Sequence, residues 1–223
     1  MTVPRRPAPL AATALNAADG SHAHDDPAAR LEAAHATAAA VVNHLAGSAD
    51  TDATARMSAA MDTDDGLDAA ARLWSVAAPV SLPGALWRLV ALRAGVRRDP
   101  VQAARDFDTG RNHVPVSEVV AGVGDPPGPQ EVLGLVDAVL CGVGGVNFDA
   151  TLERAAAFAR VVAVGRSFRA DDEDATPARV PVTVPTGTNG DRGRDLTRSA
   201  AALITTAQQL ESAARRWRLG DLA

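Results

Sequence analysis

The sequence predicts an all-α protein: a multi-helix bundle of about six to eight helices in a single helical domain over residues 27–223, with a disordered tail at 1–26 and a mobile acidic loop, rich in Thr, Pro and Gly, at 170–193. Three observations predict it. The chain is 47% hydrophobic but only 3% aromatic, with no Tyr, so alanine supplies much of the apolar content, and alanine is the best helix former. Apolar residues recur at helical rather than alternating spacing, and the segments follow one another across short Gly/Pro breaks with no strand–helix alternation. Finally, residues 196–217 carry a heptad seam, with Leu196, Leu203, Leu210 and Trp217 at one position and Ala200, Ala207 and Ala214 at the other.

Residues 1–26 combine Pro, Ala, Gly and acids with few large apolar groups, the composition of an unfolded tail. Arg5 and Arg6 precede an Ala-rich stretch in the manner of an export signal, but Pro7 and Pro9 interrupt it, and the chain reads as cytoplasmic. Asp26 and Pro27 open a helix whose face carries Leu31, Ala38, Val42 and Leu45, and Gly47 can end it. A short helix fits around Arg56–Met61. The next begins at Asp65, shows Leu67, Ala70, Trp74 and Ala77 on one side, and stops at Pro79. Ser81 caps the following helix, in which Leu82, Leu86, Leu89 and Val90 lie together with Trp87 at their edge. Asp99, Pro100 and Gln102 form a capping box, and Gly110 suits the exit. Residues 115–129 read as a short helix and a proline-rich turn. Pro129 opens a helix with Val132, Val136, Val139 and Leu140 on one face, ended by Gly142, Gly144 and Gly145. The next carries Phe148, Ala155 and Val162 at one heptad position and Leu152 and Ala159 at the other. RVPVTV, within the acidic loop, is too interrupted by Pro177, Pro181 and Pro185 for a firm strand. The last helix starts at Asp195.

The chemistry is narrowed by residue type. All 22 basic residues are arginine, so no lysine can form a Schiff base or serve a phosphate loop. Cys141 is the single cysteine, which leaves no internal disulfide and no thiolate zinc site. The longest uncharged run, between Arg72 and Arg88, is broken by prolines and is too short to span a membrane. Net charge is −5. Residues 66–115 carry seven Arg against four acids and 194–223 five against three, so a weak nucleic-acid contact through these basic segments is a further alternative, in a chain whose overall charge is acidic.

The glycine-rich stretches at 122–128 and 141–148 could be taken for phosphate loops. The first has prolines where N–H donors are needed, and the second separates two helices. His22, His24 and Asp26 have the spacing of the metallo-β-lactamase signature, but Pro27 stands where its last histidine belongs, and the family is not carried over. Glu32 and His35 form one E-x-x-H pair where a di-iron bundle needs two; they are the metal or small-ligand alternative, and His35 otherwise reads as a residue at the core edge. Cys141 near an apolar face reads as a small hydrophobe. No catalytic constellation, cofactor or resident metal is expected.

What remains is arginine beside tryptophan. Trp87 is followed by Arg88, Arg93, Arg97 and Arg98 on one helix, and Arg215, Arg216 and Arg218 surround Trp217 on the last. Both residue types carry large contact energies where proteins meet. The expected function is therefore a non-enzymatic helical module that binds an unidentified protein partner through these faces. The C-terminal seam is assigned to the chain's own bundle, because a chain short of bulky side chains must bury its leucines to be stable. Self-association through it is the alternative.

Overall fold

The computed structural model describes residues 26–45, 63–113, 126–141, 147–175 and 189–222. They form an all-α bundle of seven helices: α1 Pro27–Leu45, α2 Asp64–Trp74, α3 Leu82–Arg98, α4 Pro100–His113, α5 Pro129–Leu140, α6 Phe148–Ala175 and α7 Asn189–Arg218. Several expectations fall outside these residues: the tail before Asp26, the helix at Arg56–Met61, the turn segment at 115–125, the glycines at 142–145 and the RVPVTV run.

Local chemistry fixes most helix starts. The Asp26 carboxylate accepts the Ala28 N–H at 2.9 Å. Thr63, not Asp65, caps α2, its hydroxyl accepting from Gly66 N at 3.1 Å. Ser81 caps α3 by accepting from Gly84 N at 3.2 Å. At α4 the Asp99 carboxylate accepts the Gln102 N–H at 2.9 Å. The expected return bond of a capping box is replaced: the Gln102 side chain turns forward and donates to Asp106. At α5 the Glu131 carboxylate accepts the Gly128 N–H at 2.8 Å.

Two long helices form the spine. α6 and α7 lie antiparallel, as their cross-links show: Arg218 meets Glu153, Arg160 meets Glu211, and Arg166 meets Ser199. The C-terminal seam faces inward here. Ala200, Ala207, Leu210 and Ala214 are buried, Leu203 and Trp217 are half-buried, and they meet the buried Phe148, Leu152, Ala155, Ala159 and Val162 side of α6. Methyl groups at alternate seam positions let the two backbones approach closely.

α3 is the hub and touches all six other described helices. Leu82, Ala85, Leu86, Leu89, Val90, Leu92 and Val96 are buried around much of its circumference, the signature of a helix enclosed on several sides. α5 packs with the expected Val132, Val136, Val139 and Leu140. On α1 the expected Ala38 and Val42 face inward together with Ala34, Thr37 and Val41, while Leu31, expected on the same stripe, is 41% exposed.

Two boundaries differ from expectation. Residues 170–175 continue α6, and 189–194 already belong to α7, so helix replaces both ends of the expected loop. Gly110 does not end α4; it lies inside the helix at the crossing with α6. A Cβ on Gly110 would fall 1.9 Å from the Val161 carbonyl oxygen, and one on Gly165 would fall 1.8 Å from that of Asp106. Glycine is required on both helices because backbone meets backbone there.

Candidate functional site

Two hydrogen bonds join the arginine–tryptophan clusters where the start of α3 runs antiparallel to the end of α7, while Arg93 and Arg97 turn to α5 and Arg218 to α6. The capped start of α3 sets the register of Trp87 and Arg88, and the inward seam of α7 sets that of Gln209, Arg216 and Trp217. Arg88 Nε donates to Gln209 Oε1 at 2.5 Å although 121 residues separate them, and Arg216 Nη1 donates to the Val80 carbonyl at 3.3 Å. Trp87 and Trp217 are half-buried, each packed against the core. Trp217 meets Phe148 edge to face at 5.1 Å between ring centroids.

Arg88 differs from its neighbours. The residue is only 8% exposed. Its Nη1 donates to the Gly84 carbonyl at 2.8 Å, and its guanidinium carbon sits over the Trp87 ring, 5.5 Å from the centroid. Burial lowers its pKa from the usual arginine range, because a guanidinium removed from water loses hydration that favours its charge.

The other expected residues are partly occupied within the fold. Arg93 Nε donates to Asp137 Oδ1 at 2.5 Å, and Arg97 Nη2 to Asp137 Oδ2 at 3.2 Å, tying α3 to α5. Arg218 pairs with Glu153 at 2.5 Å and lies 3.8 Å from Asp149. Arg216 pairs with Asp221 at 3.1 Å. Among the described residues Arg215 donates to Ser212 on its own helix, at 2.9 Å. Arg97, Arg98, Arg215, Arg216 and Arg218 are exposed. The clusters therefore combine internal ties with a surface of guanidinium groups.

The alternative pair does not form a centre. Glu32 is exposed and His35 half-buried on α1. Among the described residues no group of three or more His, Cys, Asp or Glu side chains could hold a metal ion. Cys141 is half-buried at the end of α5.

Sequence reasoning missed the most enclosed charged group. Asp106 is buried at the α4–α6 crossing, where it accepts from Gln102 Nε2 at 2.9 Å and Arg166 Nε at 3.1 Å and pairs with Arg169 at 3.2 Å. A signal existed. Asp106 shares the inward side of α4 with Ala103, Phe107 and Gly110, an anomalous place for a carboxylate unless it is paired. This cluster braces the crossing of α4 and α6.

No protein-family model matches the chain, and neither a curated protein nor a solved structure matches it.

Proposed function

We propose that this protein is a non-enzymatic helical module that binds another protein through the Arg/Trp face running along α3 and the end of α7. The observation that supports it is that the Trp87-bearing start of α3 and the Trp217-bearing end of α7 are tied together by the Arg88–Gln209 and Arg216–Val80 contacts. Half-buried tryptophans offer rigid apolar area, and the exposed arginines around them offer directional donors, the pairing that dominates protein interfaces. No described helix is long and apolar enough to cross a membrane. The metal alternative at Glu32 and His35 has no third ligand among the described residues to support it.

The test compares capture of a protein partner by the wild-type chain and by two variants, W87A/R97A and R215A/R216A, with helical content and thermal midpoint recorded for each. The expected result is lost capture by variants that remain folded. Capture unchanged by both sets of substitutions overturns the proposal.

A further inference from the structure

Arg88 carries a charge that no carboxylate among the described residues neutralises. The other expected site arginines of α3, Arg93 and Arg97, share the Asp137 carboxylate. Arg88, more deeply buried than either, pairs with no Asp or Glu among the described residues; its two hydrogen bonds go to neutral oxygens of Gln209 and Gly84. A buried guanidinium without a counter-charge is costly, and neutral acceptors offset only part of the lost hydration. The geometry leaves one donor available. Nε and Nη1 are engaged, whereas Nη2 makes no hydrogen bond among the described residues, and it is not among their fully enclosed unpartnered atoms, which are Nε of Arg154 and Nε of Arg169. Nη2 therefore still reaches solvent, beside the Trp87 ring that covers the guanidinium.

We infer that Arg88 Nη2 is the recognition point for a carboxylate, and that an Asp or Glu side chain of the partner, docking over Trp87, supplies the counter-charge that the described residues do not. The inference rests on the protein-binding reading above and names the chemistry of its partner: an acidic residue next to apolar ones. The acid answers the guanidinium, and the apolar neighbours cover the exposed part of Trp87. Such a charge-assisted bond is stronger than a neutral one because both partners are ionised and water is excluded around them.

The experiment uses the full chain and sodium propionate as the carboxylate probe, titrated against sodium chloride at constant ionic strength, with thermal midpoint and tryptophan fluorescence as readouts. Inorganic phosphate is the second arm, and R88M and R88K are the variants. The expected result is a saturable fluorescence change and a rise in midpoint of about 3–6 °C at ten times the dissociation constant, both absent in R88M. R88M itself is expected to melt no lower than wild type in chloride, because it removes an uncompensated charge while keeping volume. If R88M does not fold, R88K serves: an ammonium lacks the forked second donor, and the propionate response should fall at least tenfold in affinity. A non-saturating response, or one equal in wild type and variant, overturns the inference. Phosphate saturating far more tightly than propionate also overturns it, because the site would then take a free phosphate. These outcomes separate from those of the capture test. Lost capture in W87A/R97A or R215A/R216A with no propionate effect removes the carboxylate site alone, whereas a saturable propionate effect with unaltered capture removes the protein-binding reading.

Discussion

The Thr37 hydroxyl serves two helices at once. It donates toward the Ala33 and Ala34 carbonyls of its own helix and accepts from the indole Nε1 of Trp74 at 3.0 Å. Trp74 is fully buried, so its N–H has no access to water and depends on that one oxygen. Valine in place of Thr37 keeps the shape and removes the acceptor. T37V should lose about 1–3 kcal/mol, the cost of an unpaired buried donor, read as a lower urea midpoint at unchanged slope. In a W74F background the donor is already gone, and the same substitution should cost markedly less. Equal losses in both backgrounds would mean that the indole contact contributes nothing. Trp74 on an inward face was legible from its spacing with Leu67 and Ala70; its partner was not, because nothing in the sequence links a threonine 37 residues earlier to the indole.

At the scale of elements, the helices were legible where apolar spacing and caps agreed. α5 is the clearest case, since Val132, Val136, Val139 and Leu140 admit one inward face. The misread positions share a cause: a residue with two roles. Gly110 has the composition of a helix exit, yet its place in line with Ala103, Asp106 and Phe107 makes it a contact point. Asp195 resembles a helix cap, yet it lies within α7 and pairs with Arg198, while the helix begins earlier. The glycines allow a test by sign. Gly95 and Gly134 are also helical, and a Cβ on either meets nothing. G95A and G134A should therefore stabilise by about 0.5–1 kcal/mol, the usual gain from restricting a helical glycine. G110A and G165A gain the same propensity but drive a methyl into the backbone of the opposing helix, and each should lose about 3 kcal/mol net, as overpacking does. Thermal midpoints of the four variants measure this directly. A stabilised G110A would show that α4 and α6 can part freely, contrary to the close crossing. Past the end of α7, Gly220 takes the left-handed conformation (φ 71°), Gly220 N donates to the Trp217 carbonyl, and Asp221 N donates to that of Arg216. This C-terminal stop returns Leu222 to the core.

For the whole molecule, the assignment of bulky side chains to an internal core was legible from scarcity: with so few aromatics, the leucines of α3, α6 and α7 had to meet one another. Charge was legible only as a total. The basic excess at 66–115 and 194–223 suggests exposed positive surface, but pairing is a property of the folded chain. Arg93 and Arg97 share Asp137, Arg166 and Arg169 share Asp106, and Arg160 and Arg218 meet Glu211 and Glu153. Nucleic-acid affinity depends on arginines that exchange counter-ions for phosphates. An arginine already matched to a carboxylate must break that pair first, and a net charge of −5 opposes approach. The chain should therefore form no complex with duplex DNA or single-stranded RNA in a gel-shift assay, even at about 50 mM salt, where phosphate contacts are strongest. A complex that weakens steeply as salt rises would place the function in phosphate binding instead. The same argument explains why Arg88 stands apart. Where Arg93, Arg160, Arg166 and Arg169 are met by carboxylates, it is held by uncharged oxygens, and a single carboxylate from outside would complete it without disturbing any pair already made.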